Sequence, residues 1–382
     1  MVTPKTIFID TCVFDQNHYN FESNDFKILL SSFKKHEVTL LMPHPVWLEM
    51  NRHMEEMAQS ILAALNQAQR AAPFLTKVPS WPARNTRDSL VKEILATSKK
   101  NLEKFLDHYN VVNLDYEGVS ISQIMRWQND LTPPFSKEKP NEFRDAVSLS
   151  SLLAYARKNK EPIAIISGDS DFKHASALHI NLLYFPSIVK YMEYMVGGDE
   201  RIDEIRSVID SEGLQLDELV KSTFPNLGFI HDDDYDADIE DVTVHDVEVA
   251  DCSIVHVGDD ECVISVLFMI GYSAYVTMDD PESGYYDSDD RIHRALFQLR
   301  GTIQDSCQIR ALAKCKVSSD WSKIESVGSF SFADEFVSVS ERPTGDDEDD
   351  GDYDYEDSPP GDASEDFKDR LDEKGEIIPP PY

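Results

Sequence analysis

PIAIISGDSDF, residues 162–172, is the stretch on which the fold turns. Its first half is apolar without interruption, the pattern of a strand buried on both faces of a parallel sheet, and it ends at Ser167-Gly168 in front of two aspartates, Asp169 and Asp171. Immediately upstream, residues 141–158 (NEFRDAVSLSSLLAYARK) carry Phe143, Val147, Leu149, Leu152, Leu153 and Tyr155 along one helical stripe. Downstream, INLLYF at 180–185 reads as a further short strand.

The same alternation opens the chain. KTIFID at 5–10 is a short buried strand ending in a carboxylate, and VTLLM at 38–42 is a second. Between them, Asn24 to Lys35 sets Phe26, Leu29, Leu30 and Phe33 at helical spacing. After His44, Pro45 supplies a preset φ for the first turn of a long helix, and residues 87–108 repeat that character after a proline-containing break, so two long helices form a hairpin. VVNL at 111–114 is again strand-like. Apolar strands interleaved with helices predict an α/β domain, a parallel sheet flanked by helices, over residues 1–195.

The rest of the chain differs in charge and in period. Residues 1–195 carry 22 Lys+Arg against 22 Asp+Glu, so the whole net charge of −35 lies beyond them. Such asymmetry separates parts with separate tasks. Residues 196–240 read as a helical and acidic linker, with the run DDDYDADIED at 232–241. From Val242 the period becomes two (VTVHDVEVADCSIVHV, then CVISVLFMI and YSAYVTM), which predicts a mainly antiparallel β domain over 241–342, with a helix near Arg291 to Leu299. From 343 to 382 the chain is almost entirely Asp, Glu, Gly, Ser and Pro, an acidic tail expected to be disordered.

No apolar run approaches the roughly 20 residues of a membrane-spanning helix. The start of the chain lacks the apolar core of a secretory leader, and the odd set of five cysteines contains no CxxC pair. A cytoplasmic protein with reduced thiols is expected, with no membrane partner.

Ligands of open α/β sheets bind beyond the carboxyl ends of the strands. Asp10 closes the first strand, and Asp169 and Asp171 follow PIAIIS, on that same edge. Glu49 near the start of the helix after the second strand, and Asp145 in the first turn of the helix before PIAIIS, can be aimed at it from the side. Carboxylates gathered without compensation repel one another and are costly to desolvate, so the cluster calls for a hard divalent cation, Mg²⁺ or Mn²⁺. Such an ion activates water and stabilises charge on phosphate oxygens, the chemistry of phosphodiester hydrolysis. A single Asp at a strand end, by contrast, is most often a helix cap or turn former.

IDTCVF at 9–14, PHPVWLEM at 43–50, NEFRDA at 141–146 and SGDSDF at 167–172 together resemble the PIN-domain family of bacterial toxin nucleases and RNA-processing factors. The resemblance covers about half the chain, and the long helical segment from about Asn51 to Gln128 is similar to a larger bacterial branch with a helical insertion. It implies metal ligation and catalysis by Asp10, Glu49, Asp145 and Asp169, with Asp171 as a further metal-binding acid and Thr11 and Ser167 as polar supports. Arg144 stands beside Asp145, where it positions a phosphate, balances the acids or is an ordinary solvated helix charge.

The function so implied is a metal-dependent endoribonuclease acting on single-stranded RNA, in a toxin–antitoxin or defence setting. Two alternatives stand beside it: a catalytically inactive PIN-like scaffold that binds protein or nucleic acid, and a structure-selective DNA nuclease. The basic clusters Lys34-Lys35, Lys99-Lys100, Lys137/Lys139 and Arg157-Lys158-Lys160 either follow a nucleic-acid backbone or are wet surface. His44, His53, His108 and His174 lack ligand-like spacing and read as structural. The β-rich part or the acidic tail would dock a protein partner, and the tail, at a net charge of −13 from Thr344 onward, either mimics nucleic acid in the groove or is simply solvated.

Overall fold

The computed structural model describes residues 3–79, 81–82, 86–212, 216–234, 237–280, 283, 285–287, 292–294 and 297–343. The acidic segment from Thr344 onward lies outside the described residues.

The N-terminal half alternates strand and helix as its apolar pattern predicts. Strand β1 (Thr6–Ile9) leads into a short helix α1 (Thr11–Gln16) and then α2 (Asn24–Ser31), before β2 (Thr39–Pro43). Two long helices follow, α3 (His44–Ala71) and α4 (Arg87–Leu106), then β3 (Asn110–Leu114), α5 (Ile121–Asn129), α6 (Phe143–Asn159) and β4 (Ile163–Ile166). Helix α7 (Ser170–Ala177), β5 (Leu182–Phe185) and α8 (Ile188–Val196) complete this half. The five strands form one parallel sheet in the order β3-β2-β1-β4-β5. Every residue of β1 and β4 is buried, as uninterrupted apolar strands covered on both faces must be. The chain first builds outward from β1 through β2 to β3 and then returns to place β4 on the other side of β1. The reversal falls between β1 and β4, and it is at such a switch point that open α/β sheets bind ligands.

Pro43 caps α3 and Pro45 occupies its first turn, where a missing N–H is no loss. The hairpin of α3 and α4 is tied by Arg87, which is buried and donates hydrogen bonds to the side chains of Asn66 and Gln69.

Helices α9 (Arg201–Glu212) and α10 (Asp217–Thr223) lead to β6 (Gly228–His231), then to β7 (Asp238–Val257) and β8 (Glu261–Asp279). After β9 (Tyr285–Asp287) and β10 (Ile292–Arg294) come β11 (Gln298–Val317), β12 (Ile324–Phe332) and β13 (Phe336–Val339). A four-stranded antiparallel sheet of order β12-β11-β8-β7 dominates, and β8 alternates buried and half-buried positions along most of its length. One expectation needs correction. The described residues of the span near Arg291 to Leu299, where a helix was anticipated, are not helical: Ile292–Arg294 pairs with Tyr285–Asp287, and Leu299 sits opposite Met278 in the long β11–β8 ladder, so pairing across strands outweighs local helix preference. The span 196–240, read as a helical and acidic linker, carries α9 and α10, whose Ile202, Ile205, Leu216 and Val220 are part of the second core.

The halves pack on each other through α8 and β7. Val255 of β7 belongs to the first core, and Lys190 of α8 reaches Ser253 at 3.1 Å and Asp251 at 3.1 Å. Asn24 donates to the carbonyl of Phe332 at 2.8 Å. No helix among the described residues is long and apolar enough to cross a membrane.

Candidate active site

Asp10 and Asp169 leave adjacent strands at the switch point, and the backbone locks the two strand ends together through Asp10 N–H to Ile166 O at 3.0 Å. Each aspartate is a helix cap, as its position alone predicts. Asp10 accepts from the N–H of Thr11 at 2.8 Å at the start of α1, and Asp169 accepts from the N–H of Asp171 at 2.8 Å at the start of α7. Capping occupies only one oxygen of a carboxylate. The second oxygen of Asp10, Oδ2, accepts from Ser167 Oγ at 2.7 Å and from Cys12 Sγ at 3.0 Å.

Ser167 also accepts the N–H of Asp169 at 3.0 Å, so one buried hydroxyl positions both aspartates. Thr11 Oγ1 donates to Glu49 Oε2 at 2.9 Å, fixing the acid that α3 contributes. Cys12, to which the sequence assigned no chemistry, is a neutral thiol pushed up to about 12 by burial and by Asp10; it donates to Asp10 and accepts the Gly168 N–H at 3.3 Å.

Asp10, Glu49, Asp145 and Asp169 line one cavity of about 540 Å³, each from a different segment of the chain. Asp15 and Glu142 line it too, making six carboxylates against the Arg144 guanidinium and the His53 imidazole. The electrostatic consequences follow residue by residue. Asp145 has no hydrogen-bonding or ion-pair partner among the described residues, and burial, followed by repulsion from Asp10, Glu142, Asp169 and Glu49, pushes its carboxyl up to about 8. Burial raises Asp10 as well, against the lowering effect of its hydrogen bonds.

Lysine and arginine side chains among the described residues compensate the acids on two sides, beside the imidazole of His53. Lys139 Nζ lies 3.2 Å from Asp169 and 2.7 Å from Asp171, and its own pKa is raised chiefly by the hydrogen bond to Asp171. Arg52 and Arg144 both approach Glu49 Oε1 at 3.4 Å. Asp171 is buried, held by Lys139 and absent from the cavity wall, whereas Ser167 and Thr11 stand as supports of neighbouring acids.

Four participants escaped the sequence reading. His53 is four residues after Glu49 on α3, a spacing that puts both on one face, and its Nδ1 meets Asp15 at 2.8 Å. That signal was present but was read as structural. Lys139 belongs to the basic clusters that either follow a nucleic-acid backbone or are wet surface; nothing in its local sequence marks it as the partner of two aspartates that lie some thirty positions away. Asp15 and Glu142 likewise acquire meaning only from the cavity that they line.

The donor set is all carboxylate oxygen, which suits a hard divalent cation, and the unpaired Asp145 beside Asp10 is the kind of charge excess that such an ion relieves. In their present rotamers, no three His, Cys, Asp or Glu side chains among the described residues stand close enough to form a coordination sphere.

The N-terminal half is thus a parallel α/β domain with an acid-rich cavity at the carboxyl ends of its central strands. The family profile described as PIN domain matches residues 7–172, from β1 to the first turn of α7, and the N-terminal domain of this chain belongs to the PIN-domain family, whose members are typically nucleases. No curated protein and no solved structure matches the chain.

Proposed function

We propose that the protein is a metal-dependent endoribonuclease that hydrolyses phosphodiester bonds of single-stranded RNA. Asp10, Glu49, Asp145 and Asp169 would hold Mg²⁺ or Mn²⁺, which on binding would lower the pKa of a coordinated water and stabilise charge on phosphate oxygens. The observation that carries the reading is the acid excess of the cavity, above all Asp145, which has no cation paired with it among the described residues. Around that excess the chain's own groups have distinct tasks. Ser167 and Cys12 orient Asp10, and Thr11 orients Glu49. Lys139 neutralises Asp169 and Asp171 together, so Asp171 acts through the lysine. Arg144, largely exposed at the mouth of the cavity, offers a guanidinium to a phosphodiester.

The test is incubation of the purified full chain with single-stranded RNA and Mn²⁺ or Mg²⁺. Asp10→Asn and Asp169→Asn keep an oxygen acceptor for each helix cap while removing the charge, so each variant should remain folded and lose cleavage. Cleavage that persists in either variant rejects the site assignment.

A second reading, a PIN-like scaffold without catalysis, is favoured by the spacing of the acids and by Lys139, which already supplies an internal cation to two of them. Calorimetry with Mn²⁺ separates the readings: a nuclease site gives binding that Glu49→Gln weakens, and a scaffold gives none.

A further inference from the structure

A second cavity, of about 360 Å³, shares the wall formed by Glu49, Phe143 and Arg144 with the carboxylate cavity. Its chemistry is the opposite. Leu48 on α3 and Val147 on α6 make apolar sides, and the rings of Tyr116 and Phe143 face the same space. Leu48 and Tyr116 are each 53% exposed and Phe143 37%, so apolar and aromatic surface is left open at one spot beside a strongly acidic one. Tyr116 is not loose: its hydroxyl pairs with His44 Nδ1 at 2.8 Å, and the two rings meet edge to face at 5.3 Å. A held, exposed aromatic ring is a stacking platform.

The rim carries the charge that a nucleotide requires. Arg52, from α3, and Arg144, from α6, both line this cavity and both approach the same oxygen of Glu49 at 3.4 Å; Arg52 also donates to Glu56 at 3.1 Å and meets His53 at 2.8 Å, whereas the long Glu49 contact leaves most of the five N–H donors of Arg144 to a ligand. Aromatic and apolar walls with two guanidinium groups at the edge complement a flat nucleobase with phosphates on either side. Phe143 and Arg144 are also walls of the acidic cavity, so a base seated here would belong to a nucleotide next to the phosphate held there.

We propose that this cavity is a nucleobase subsite for single-stranded RNA, flanking the site of cleavage, with Tyr116 and Leu48 holding the base and Arg52 and Arg144 its phosphates. The proposal deepens the nuclease reading and rests on it for the identity of the strand.

It is tested by binding alone, with cleavage silenced in EDTA. The full chain is titrated into a short fluorescent RNA and into copies of that RNA with a single abasic nucleotide moved along the strand. The expected result is one position at which loss of the base weakens binding about tenfold, or about 1.4 kcal/mol, within the range of base stacking on a side chain. Tyr116→Ala and Leu48→Glu, both at exposed positions, should flatten the scan while the circular dichroism and melting temperature stay those of the parent. The double variant Arg52→Gln/Arg144→Gln should weaken every oligonucleotide and reduce the salt dependence.

A flat scan in the parent protein, or an unchanged scan in Tyr116→Ala and Leu48→Glu, overturns the proposal. So does a DNA strand of the same sequence that binds more tightly than the RNA. The two readings fail separately: cleavage lost in Asp10→Asn together with a flat scan removes the subsite and leaves the nuclease, whereas a positional scan without any cleavage removes the nuclease and leaves the base pocket.

Discussion

Replacement of Asp145 by Asn should make the metal-free protein more stable and, at the same time, impair its response to a divalent cation. In the folded chain, burial and four neighbouring acids carry this carboxyl from 3.8 to about 8. An unfolded chain releases the proton near pH 3.8, whereas the folded chain keeps it until about pH 8, so between those values the folded state binds more protons. The sign follows directly: stability is full below the unfolded pKa and is lost as pH rises through the folded one. At about 1.4 kcal/mol per pH unit the penalty reaches roughly 4 kcal/mol at pH 7, and partial access of water to the carboxyl reduces it to about 2 kcal/mol. Asn carries no proton equilibrium in either state and removes that penalty. For a domain of this size, melting in EDTA should rise by about 5 °C at pH 8, and by progressively less toward pH 5. Addition of Mn²⁺ should stabilise the parent chain more than Asp145→Asn, because the ion relieves in the parent what the substitution has already removed. An Asn variant that melts below the parent at pH 8 in EDTA, or a gain that is the same at pH 5 and pH 8, would refute the reasoning.

Other expectations follow from the same geometry. Lys139→Met leaves Asp169 and Asp171 without their cation, so the variant should melt lower without metal and gain more than the parent from Mn²⁺ in a thermal shift assay. Ser167→Ala removes a buried hydroxyl that donates to one aspartate and accepts the N–H of the other; by denaturant titration it should cost about 2 kcal/mol, and single-turnover cleavage should slow with it. Truncation before Thr344 removes a net charge of −13 and should raise RNA affinity at low salt, and equal affinities across a salt series would dispose of a role for the tail.

Much of the N-terminal fold was legible because its strands are short, apolar throughout and separated by helices of clear period. PIAIIS is β4 and KTIFI contains β1, and the residues that follow each of them had to emerge at the edge where such sheets bind ligands. The C-terminal half was legible only in outline: a period of two gave strands, but a helix was expected near Arg291 to Leu299 because the partner strand that captures Leu299 lies twenty-one residues away. Polarity counted along the chain cannot show that Ile202, Ile205 and Val220 turn one face inward onto a sheet that has not yet been built.

The amino-acid order alone determined which acids are candidates, since Asp10 and Asp169 follow buried strands and Glu49 and Asp145 lie near the starts of helices; those are local facts, set by hydrophobic period and by what a chain does at the end of an element. Tertiary structure decided which of them share a cavity, that Asp171 turns instead to Lys139, that His53 and Asp15 join the site, and that an aromatic pocket with two arginines stands next door. The division has a physical cause. Element type depends on residues a few positions apart, whereas charge compensation depends on distance in space, and only folding brings Lys139 to Asp169 or leaves Asp145 without a partner.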